Sequence, residues 1–560
     1  MRRLILACVF LCAPLAWPQA AEKQLHVRVR MRDGVELCTN VFRPPGSAKV
    51  PALLVRTPYG KGEDLAATYS MFLSAGYAVV LQDVRGRGHS DGIFRPLEQE
   101  VADGHDALDW IASQPWCTGR IGMLGGSYLG IVQWKAALSN NPFLKAISPA
   151  VSGSDEYEDR FYSKGGAMKL GHRLLWLAEN LRAPYFPMPT FEQFVLNLPL
   201  RTSDRAATGQ TLAIFQAALD HPVYDSYWKA FSTRAHIGQV HVPVLAFGGW
   251  YDNFAENDLE AFSRLRALSR EAHIVIGPWP HSLPGRFAGY DFGPEAMFAI
   301  RRLQLKWFDH WLKSPEVGRA APFEAPPARL FVMGLNRWKD EREWPPRADP
   351  AAFYLASGGR LLERKPAGDK PERYVYDPRK PVPTVGGSVC CTPEIFPWGP
   401  FDQRAVERRP DVLVYTSQPL ERDEEVTGAI KVVLWASTSA PDTDFTAKLV
   451  DVRPDGFAMN LCDGILRLRY RESLERPLAA RPGEIYRLTI DAGVTSNVFR
   501  KGHRIRLEVS SSNFPRFDRN PNTGRKIADE RELRTARQTI YHDGRYASHL
   551  LLPVIKSELR

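Results

Sequence analysis

Residues 122–130 read GMLGGSYLG, and this stretch decides the fold. Its apolar start predicts a short buried strand, and the apolar run from Tyr128 to Leu138 predicts a helix directly after Ser127. A serine on so tight a strand-to-helix turn needs small neighbours and projects its hydroxyl above the sheet. The helix amides behind it favour a developing anion. Leu129 stands where a second glycine is usual, and Gly130 follows. We predict Ser127 to be a nucleophile.

Around this turn the chain alternates strand-like and helix-like segments, which is typical of an α/β layered domain. Residues 153–239 interrupt the alternation with polar and aromatic helical segments, which predict a helical insertion over the sheet. From residue 328 onward short alternating runs recur without a helix of any length. These runs predict a β-sandwich, most simply a jelly roll. The alternation thus predicts an α/β domain with a helical cap, followed by an all-β domain.

The N-terminus has the pattern of an export signal. Arg2 and Arg3 precede an apolar run over residues 4–15, and small residues suited to a cleavage site follow at Ala20 and Ala21. The run is shorter than a membrane-spanning helix requires, and no later segment reaches that length. We therefore predict a signal peptide over residues 1–21 and a periplasmic or secreted protein without stable membrane insertion.

Charge and cysteine content exclude several other classes. The net charge of +10 comes from basic residues interleaved with acids, as in residues 407–411, whereas nucleic-acid binders cluster them. The cysteines beyond residue 21 show no disulfide framework and no metal-ligand spacing. Cys390 and Cys391 are adjacent, so a vicinal disulfide is possible, but two buried thiols are the simpler expectation. We expect no nucleic-acid partner, metal or cofactor, and the oligomeric state stays open.

The acid and base that a serine nucleophile needs are sought in the chain order Ser, acid, His. The strand over residues 242–247 ends in GGWYD, which puts Asp252 just past its carboxyl end. The strand over residues 273–276 ends in GPWPH, which puts His281 on the next loop. Asp83 and His89 are the rival acid and base, but both precede Ser127. We predict Asp252 to be the acid and His281 to be the base.

An oxyanion hole requires two donors above the nucleophile. The backbone N–H of Tyr128 follows Ser127 directly and supplies the first. The second belongs on the loop after an early strand, where residues 56–59 read RTPY. Tyr59 is the candidate there, although the residues alone are equally consistent with an aromatic that only packs.

Five motifs in order make the resemblance specific. They are RTPY at 56–59, DVRGRG at 83–88, GGSYLG at 125–130, GWYD at 249–252 and GPWPH at 277–281. Together with GHRIRL at 502–507 and SSSNFPRF at 510–517, they resemble the bacterial cocaine esterase family. That family is related to the Xaa-Pro dipeptidyl-peptidases and the α-amino acid ester hydrolases. The resemblance covers nearly the whole chain after residue 21.

The resemblance implies an α/β-hydrolase fold with a helical cap and a jelly-roll domain. The implied boundaries are residues 22–152 and 241–326 for the hydrolase, 153–240 for the cap and 327–560 for the β-sandwich. It also implies a triad of Ser127, Asp252 and His281, and Tyr59 and Tyr128 as oxyanion donors. Phe254 matches an aromatic of the acyl pocket, and we assign Trp250 and Trp279 to the substrate pocket as well.

Three functions are compatible with these residues. The first is an exported serine hydrolase that cleaves small acyl esters or amides through an acyl-enzyme. The second is an Xaa-Pro dipeptidyl-peptidase or an α-amino acid ester or β-lactam acyl hydrolase, which needs an acidic anchor for the substrate's ammonium. Asp155, Glu156, Glu158 and Asp159 are candidates, although a solvated acidic turn is the simpler expectation. The third, a glycan- or partner-binding protein with an inactive hydrolase domain, conflicts with the intact site residues.

The cap also carries aromatic side chains that a lid over Ser127 would present to substrate. We expect them to shape the acyl pocket: Phe161, Tyr162, Trp176, Tyr185 and Phe186.

Overall fold

A computed structural model of the chain describes residues 21–287, 289–313 and 323–556. The predicted signal peptide, apart from its last residue, lies outside the described residues and stays a prediction. Within the described part of the chain, no helix combines the length and the apolar character needed to cross a membrane.

The structure consists of two sheets and a set of mostly short helices. The strands are β1 (Glu22–Arg30), β2 (Glu36–Arg43), β3 (Val50–Thr57), β4 (Ala78–Asp83), β5 (Cys117–Gly126), β6 (Leu144–Ala150), β7 (Val244–Gly249), β8 (Ala272–Gly277), β9 (Ala328–Val332), β10 (Arg337–Glu341), β11 (Asp349–Ala356), β12 (Arg360–Leu362), β13 (Glu372–Tyr376), β14 (Leu413–Thr416), β15 (Glu424–Thr438), β16 (Asp444–Val452), β17 (Ala458–Arg467), β18 (Tyr486–Phe499), β19 (Arg504–Ser510), β20 (Ala536–Tyr541) and β21 (His549–Val554). The helices are α1 (Ala67–Ser74), α2 (Glu100–Ser113), α3 (Tyr128–Leu138), α4 (Leu170–Asn180), α5 (Phe191–Val195), α6 (Ser203–Thr208), α7 (Ala213–Asp220), α8 (Ser226–Phe231), α9 (Ala255–Ala267), α10 (Ile300–Phe308) and α11 (Arg404–Glu407).

The first sheet has the strand order β1-β2-β4-β3-β5-β6-β7-β8-β9-β10. The pairs from β4 and β3 through to β8 and β9 are parallel, and the pairs at both ends are antiparallel. Strands β4, β7 and β8 are buried along their whole length because helices cover both faces, which explains their continuous apolar runs. The carboxyl ends of β5, β7 and β8 therefore lie at one edge, where ligands bind in open α/β sheets.

The insertion between β6 and β7 carries the five helices α4 to α8. They pack around their own apolar cluster, which includes Phe161, Tyr162 and Trp228. Val389, Phe396 and Phe514 from later in the chain belong to the same cluster. The insertion is therefore held by the C-terminal region as well as by the sheet beneath it.

The boundary between the two sheets differs from the predicted one. Strand β9 was expected to open the β-sandwich, but it pairs in parallel with β8, and β10 pairs with β9. Both strands therefore extend the first sheet, and the second sheet begins at β11. A short apolar run indicates a buried strand but does not specify its partner.

The second sheet contains all strands from β11 to β21, almost all of them antiparallel. Its longest pair joins β15 to β18 over most of their length. The chain thus has the predicted class: an α/β sheet with a helical insertion, followed by an all-β domain.

Candidate active site

Ser127 lies on the turn between β5 and α3 in a conformation that few non-glycine residues adopt. Its φ is +58°, in the left-handed region. The turn is held from both sides, because the Ser127 N–H donates to the Ala150 carbonyl at 2.9 Å and its own carbonyl accepts from the Gly130 and Ile131 N–H groups. A left-handed serine at a strand-to-helix turn is the strained geometry of a nucleophile elbow.

Two glycines let this turn close, and they explain the shifted motif. Gly125 has a φ of +142°, and a Cβ there would lie 2.5 Å from the Leu129 Cβ. Leu129 thus uses the space that Gly125 leaves open. A Cβ on Gly130 would lie 2.6 Å from the Ser152 Cβ, so α3 can approach that segment only without a side chain at this position. The second glycine is needed at 130 rather than at 129.

Asp252 and His281 follow the adjacent strands β7 and β8, and their side chains meet. The Nδ1 of His281 lies 2.7 Å from Oδ1 of Asp252. The Asp252 carboxylate is buried, and its other oxygen accepts the Phe254 N–H at 3.2 Å. Because the carboxylate holds Nδ1, Nε2 is the ring nitrogen left for a nucleophile's proton.

The rival pair has a structural role instead. Asp83 accepts hydrogen bonds from the Lys61 and His89 backbone N–H groups, and the Lys61 ammonium lies 3.2 Å from its Oδ2. The His89 ring is exposed and packs against His26. Neither side chain borders the cavity at Ser127.

A second buried carboxyl near Asp252 was not foreseen from the sequence. Asp258 lies in α9, one helical turn past Phe254, and accepts the Gly153 N–H at 2.9 Å. Burial, then the charges of Asp252 and Asp159, raise the pKa of Asp258 well above its usual range. This environment therefore favours the protonated form of Asp258.

Ser127 opens into a largely apolar cavity, which we call the Ser127 cavity. Its lining consists of Tyr59, Pro96, Leu97, Ser127, Tyr128, Ile131, Arg160, His172, Arg173, Trp176, Ile214, Phe254, Cys390 and Cys391. The hydrolase sheet, the cap and the all-β domain all contribute. The His281 ring packs against Phe254, with ring centroids 5.4 Å apart, which brings the predicted base beside this cavity.

Trp250 and Trp279, predicted for the substrate pocket, are core residues instead. The exposed fraction of Trp250 is 1%, and its indole N–H donates to the Phe331 carbonyl at 2.7 Å. Trp279 is fully buried, with its N–H on the Ala296 carbonyl. Side chains alternate along an extended strand end, so a tryptophan beside a site residue can point into the sheet.

Tyr59 and Tyr128 both reach the Ser127 cavity, but in different ways. The Tyr59 hydroxyl accepts the Trp176 indole N–H at 3.2 Å, so its own proton remains to be donated. Tyr128 is the first residue of α3. The N–H groups in the first turn of a helix have no acceptor within the helix, so the Tyr128 N–H is left to bind an oxyanion. The Tyr128 hydroxyl is engaged elsewhere, donating to Glu100 at 2.9 Å. The sequence did not single out Trp176 as the partner of Tyr59.

Only one of the five expected cap aromatics lines the cavity. Trp176 does so and stacks on Tyr128 at a centroid distance of 6.3 Å. Phe161 and Tyr162 are buried in the cap's own core, and the Tyr185 side chain is fully exposed. The remaining aromatic, Phe186, packs over Gly209.

The charged side chains that line the cavity are cationic. Arg173 is buried, and its Nε donates to the Arg160 carbonyl at 3.1 Å. Within the described residues no carboxylate lies within 4.0 Å of the Arg173 guanidinium, whereas Arg160 has Glu156 at 3.8 Å. Burial and the Arg160 charge lower the pKa of Arg173 to about 9, so it is still charged at neutral pH. Burial, then Arg173, lower the pKa of His172 well below its usual range, which leaves His172 neutral.

The acidic segment of the cap is not the solvated turn that we expected. All four carboxylates are buried. Glu156 pairs with Lys135 at 2.7 Å, and Arg234 pairs with Glu158 and Asp155. Asp159 accepts the Ser154 and Asp155 backbone N–H groups and lines a different cavity, with Lys164 and Lys169. The prediction was wrong because sequence does not show which bases fold onto an acidic run.

Cys390 and Cys391 form a vicinal disulfide, so the expectation of two separate thiols was wrong. Both line the Ser127 cavity although they belong to the C-terminal region. Their sulfur atoms and one ring nitrogen of His281 lie within 4.8 Å of one another. The pair forms the part of the cavity wall beside the predicted base.

A strand-to-helix serine with a following Asp–His pair, on a mostly parallel sheet, defines an α/β-hydrolase of the serine hydrolase class. Family comparison agrees. Residues 33–283 match the X-Pro dipeptidyl-peptidase (S15 family) model, and residues 323–551 match the X-Pro dipeptidyl-peptidase C-terminal non-catalytic domain. The chain belongs to this S15 family and is a serine hydrolase.

Individual relatives cover nearly the whole chain. Cocaine esterase from Rhodococcus sp. (strain MB1 Bresler) is 40% identical, over 95% of this chain and 98% of that protein. An aminopeptidase from a marine sediment Thaumarchaeota archaeon has a TM-score of 0.84 at 26% identity, covering 99% of both chains. An α-amino acid ester hydrolase gives the same TM-score and identity over 98% of both chains. The resemblance and the fold class are thereby confirmed.

Proposed function

We propose that this chain is an exported esterase that cleaves acyl esters through an acyl-enzyme on Ser127. The observation that carries the proposal is the convergence on one cavity. Ser127, the Tyr59 hydroxyl and Phe254 line it, and the Asp252–His281 pair packs against Phe254. The N-terminal pattern at residues 1–21 supports export. The 40% identity to a cocaine esterase supports an ester as the substrate.

The proposed reaction has two halves. His281 Nε2 takes the Ser127 proton as Oγ attacks the acyl carbonyl, and Asp252 stabilises the imidazolium through Nδ1–H. The Tyr128 N–H and the Tyr59 O–H stabilise the oxyanion. Protonated His281 then gives its proton to the departing alcohol, which leaves the acyl group on Ser127. A water molecule attacks this ester with the same proton transfers and releases the carboxylic acid.

The cavity favours an uncharged or anionic acyl group over one with a free α-ammonium. Its described lining contains no carboxylate, while Arg160 and Arg173 are cationic. An ammonium beside a charged, buried guanidinium would be repelled in a low-dielectric setting. The acidic residues of the cap are paired with bases or line another cavity. This argues against the dipeptidyl-peptidase and α-amino acid ester activities as the main function.

The test uses matched substrates. We expect p-nitrophenyl phenylacetate to be hydrolysed with a kcat/KM at least about a hundredfold above that of the phenylglycine ester, which differs by one amine. The kcat/KM of a glutarate monoester should exceed that of the valerate ester, because the glutarate carries a second carboxylate. Arg173→Met, which keeps the length of the side chain, should remove that difference in kcat/KM. Faster turnover of the amine-bearing ester, or of aminoacyl-proline anilides, would instead favour the peptidase function.

A further inference from the structure

Three metal-binding side chains meet in the hydrolase domain, outside the Ser127 cavity. They are His26 in β1, Cys38 in β2 and His89 in the loop after β4. One ligand atom from each lies within 4.8 Å of the other two. Cys38 is a fully buried free thiol, and both histidines are exposed. The cluster thus has a sulfur at its base and two imidazoles at the surface, where an ion can enter.

The His26 ring is oriented as a metal ligand usually is. Its Nδ1 lies 3.5 Å from the Cys38 sulfur. Tetrahedral zinc with ordinary Zn–N and Zn–S bonds separates the two ligand atoms by about 3.6 Å. The other ring nitrogen, Nε2, lies 3.3 Å from a carboxylate oxygen of Glu63. A carboxylate on the far nitrogen fixes the tautomer and the direction of a metal-binding histidine.

The backbone also holds these residues in place. His26 has a φ of +54° and lies where the register of β1 against β2 shifts, and its N–H donates to Asn40 Oδ1 at 2.9 Å. Such a bulge re-aims a side chain. The Cys38 N–H donates to the Ser90 hydroxyl at 2.8 Å, which ties β2 to the loop that carries His89.

We propose that His26 Nδ1, the Cys38 thiolate and a ring nitrogen of His89 bind one Zn²⁺ ion, with Glu63 orienting His26. Two imidazoles and one thiolate suit a borderline divalent ion. Binding converts the Cys38 thiol to thiolate and releases one proton. Water fills the fourth position.

The role of this site is structural. An ion there joins the N-terminal strand to the loop over residues 83–92. Arg87 of that loop donates to the Pro58 carbonyl at 2.8 Å, and Asp83 at its start accepts the Lys61 N–H at 2.7 Å. Both contacts flank Tyr59, so the ion would brace the segment that carries Tyr59 without touching substrate.

The test is titration of the metal-free full-length protein with Zn²⁺ by calorimetry, and with Co²⁺ by absorption. We expect one equivalent of Zn²⁺ to bind and Co²⁺ to give a thiolate-to-metal charge-transfer band. Cys38→Ser should abolish the band and weaken Zn²⁺ binding by more than about a hundredfold, and Glu63→Gln by about 10–100-fold. Cys117→Ser, at another buried free cysteine, should change neither signal.

Two further variants keep the result decisive. His89→Asn changes an exposed loop residue and should lose the site even if Cys38→Ser does not fold. A Cys390→Ser/Cys391→Ser double variant should keep it, because the other donor group, with His281, lies at the Ser127 cavity. No binding to the parent, undiminished binding in His89→Asn, or loss only in the double variant would overturn the proposal.

Discussion

Asp252 and Asp258 are two buried carboxyl groups for which the structure implies opposite roles. Asp252 holds the His281 ring, whereas burial and then the Asp252 charge raise the pKa of Asp258 and favour its protonated form. We expect Asp252→Asn to lower kcat by about 10⁴-fold, because the amide no longer fixes the tautomer or stabilises the imidazolium. Asp258→Asn keeps the size of a side chain that accepts the Gly153 N–H rather than holding His281, and it should cost less than about tenfold in kcat. The ester hydrolysis rates of the two purified variants test this difference. A larger loss of rate in Asp258→Asn would mean that Asp258, and not Asp252, is the acid.

Tyr59 and Trp176 form a second pair, because the Trp176 indole N–H donates to the Tyr59 hydroxyl. Tyr59→Phe should lower the acylation rate on the order of a hundredfold while thermal stability changes little, because one oxyanion donor is lost and the ring remains. Trp176→Phe removes the indole N–H that orients the Tyr59 hydroxyl and should cost about tenfold in kcat.

The double variant separates positioning from packing. If Trp176 acts through the Tyr59 hydroxyl, Trp176→Phe should cause almost no further loss in a Tyr59→Phe background. Pre-steady-state acylation rates provide the measurement. Additive losses would mean that Trp176 acts on its own, and an unchanged rate in Tyr59→Phe would remove Tyr59 from the oxyanion hole.

Among the individual site residues, the sequence predicted those whose positions follow from the order of strands along the chain. Ser127, Asp252 and His281 each follow a strand of one parallel sheet, so the fold alone brings them to one edge. Trp176 was expected at the cavity together with four other cap aromatics that do not line it, and Arg173 was not foreseen. The packing of an inserted helix does not follow from the order of the strands. The sequence did not single out Asp258, because its raised pKa depends on burial rather than on a motif.

The elbow and α3 act as one element, and Gly130 tests their fit. Gly130→Ala adds a methyl group 2.6 Å from the Ser152 Cβ, so α3 must shift. We expect a loss of about 1–3 kcal/mol in the free energy of unfolding, measured from the shift of the urea midpoint, and slower labelling of Ser127 by a fluorophosphonate. Gly238→Ala is the matched control, because no atom lies within 4 Å of its added Cβ. Equal effects of the two changes would contradict this account of the motif.

Elements with strong local signals were predicted best. Helix α3 has the predicted bounds, since a buried strand and a glycine turn fix its start. The pattern of residues 294–312 predicts one long helix, but in the structure α10 begins only at Ile300. The pattern of residues 206–219 also predicts one helical stretch, which the structure divides into α6 and α7 because Gly209 adopts a left-handed conformation, with φ +75°. Local patterns indicate helices well but not where tertiary contacts break them.

In the whole molecule, the all-β domain serves both folding and the site. The Tyr251 hydroxyl donates to the Asn460 carbonyl at 3.0 Å, and the Met168 N–H donates to Asp518 at 2.7 Å. A chain ending at residue 341 keeps the first sheet complete but removes Val389, Phe396 and Phe514 from the cap's core. We expect it to be insoluble or unstable, because a fixed apolar interface becomes exposed.

The soluble fraction and size-exclusion profile of this truncated chain provide the measurement. A soluble fragment with full esterase activity would contradict the structural role of the all-β domain. It would instead favour the hypothesis that this domain binds a glycan or a partner. The sequence predicted a separate all-β domain, but not that β9 and β10 belong to the first sheet or that Cys390 and Cys391 line the Ser127 cavity. Both depend on long-range pairing that local patterns do not encode.

The assignment of Ser127 as the nucleophile is tested most directly by finding which residue becomes covalently modified. The parent protein and Ser127→Ala are each treated with a fluorophosphonate, digested, and mapped by mass spectrometry, with ester turnover measured in parallel. We expect one adduct in the parent protein, on Ser127, with loss of turnover in proportion to labelling, and neither adduct nor turnover in Ser127→Ala. An adduct on another residue that abolishes activity, or an active Ser127→Ala variant, would contradict it.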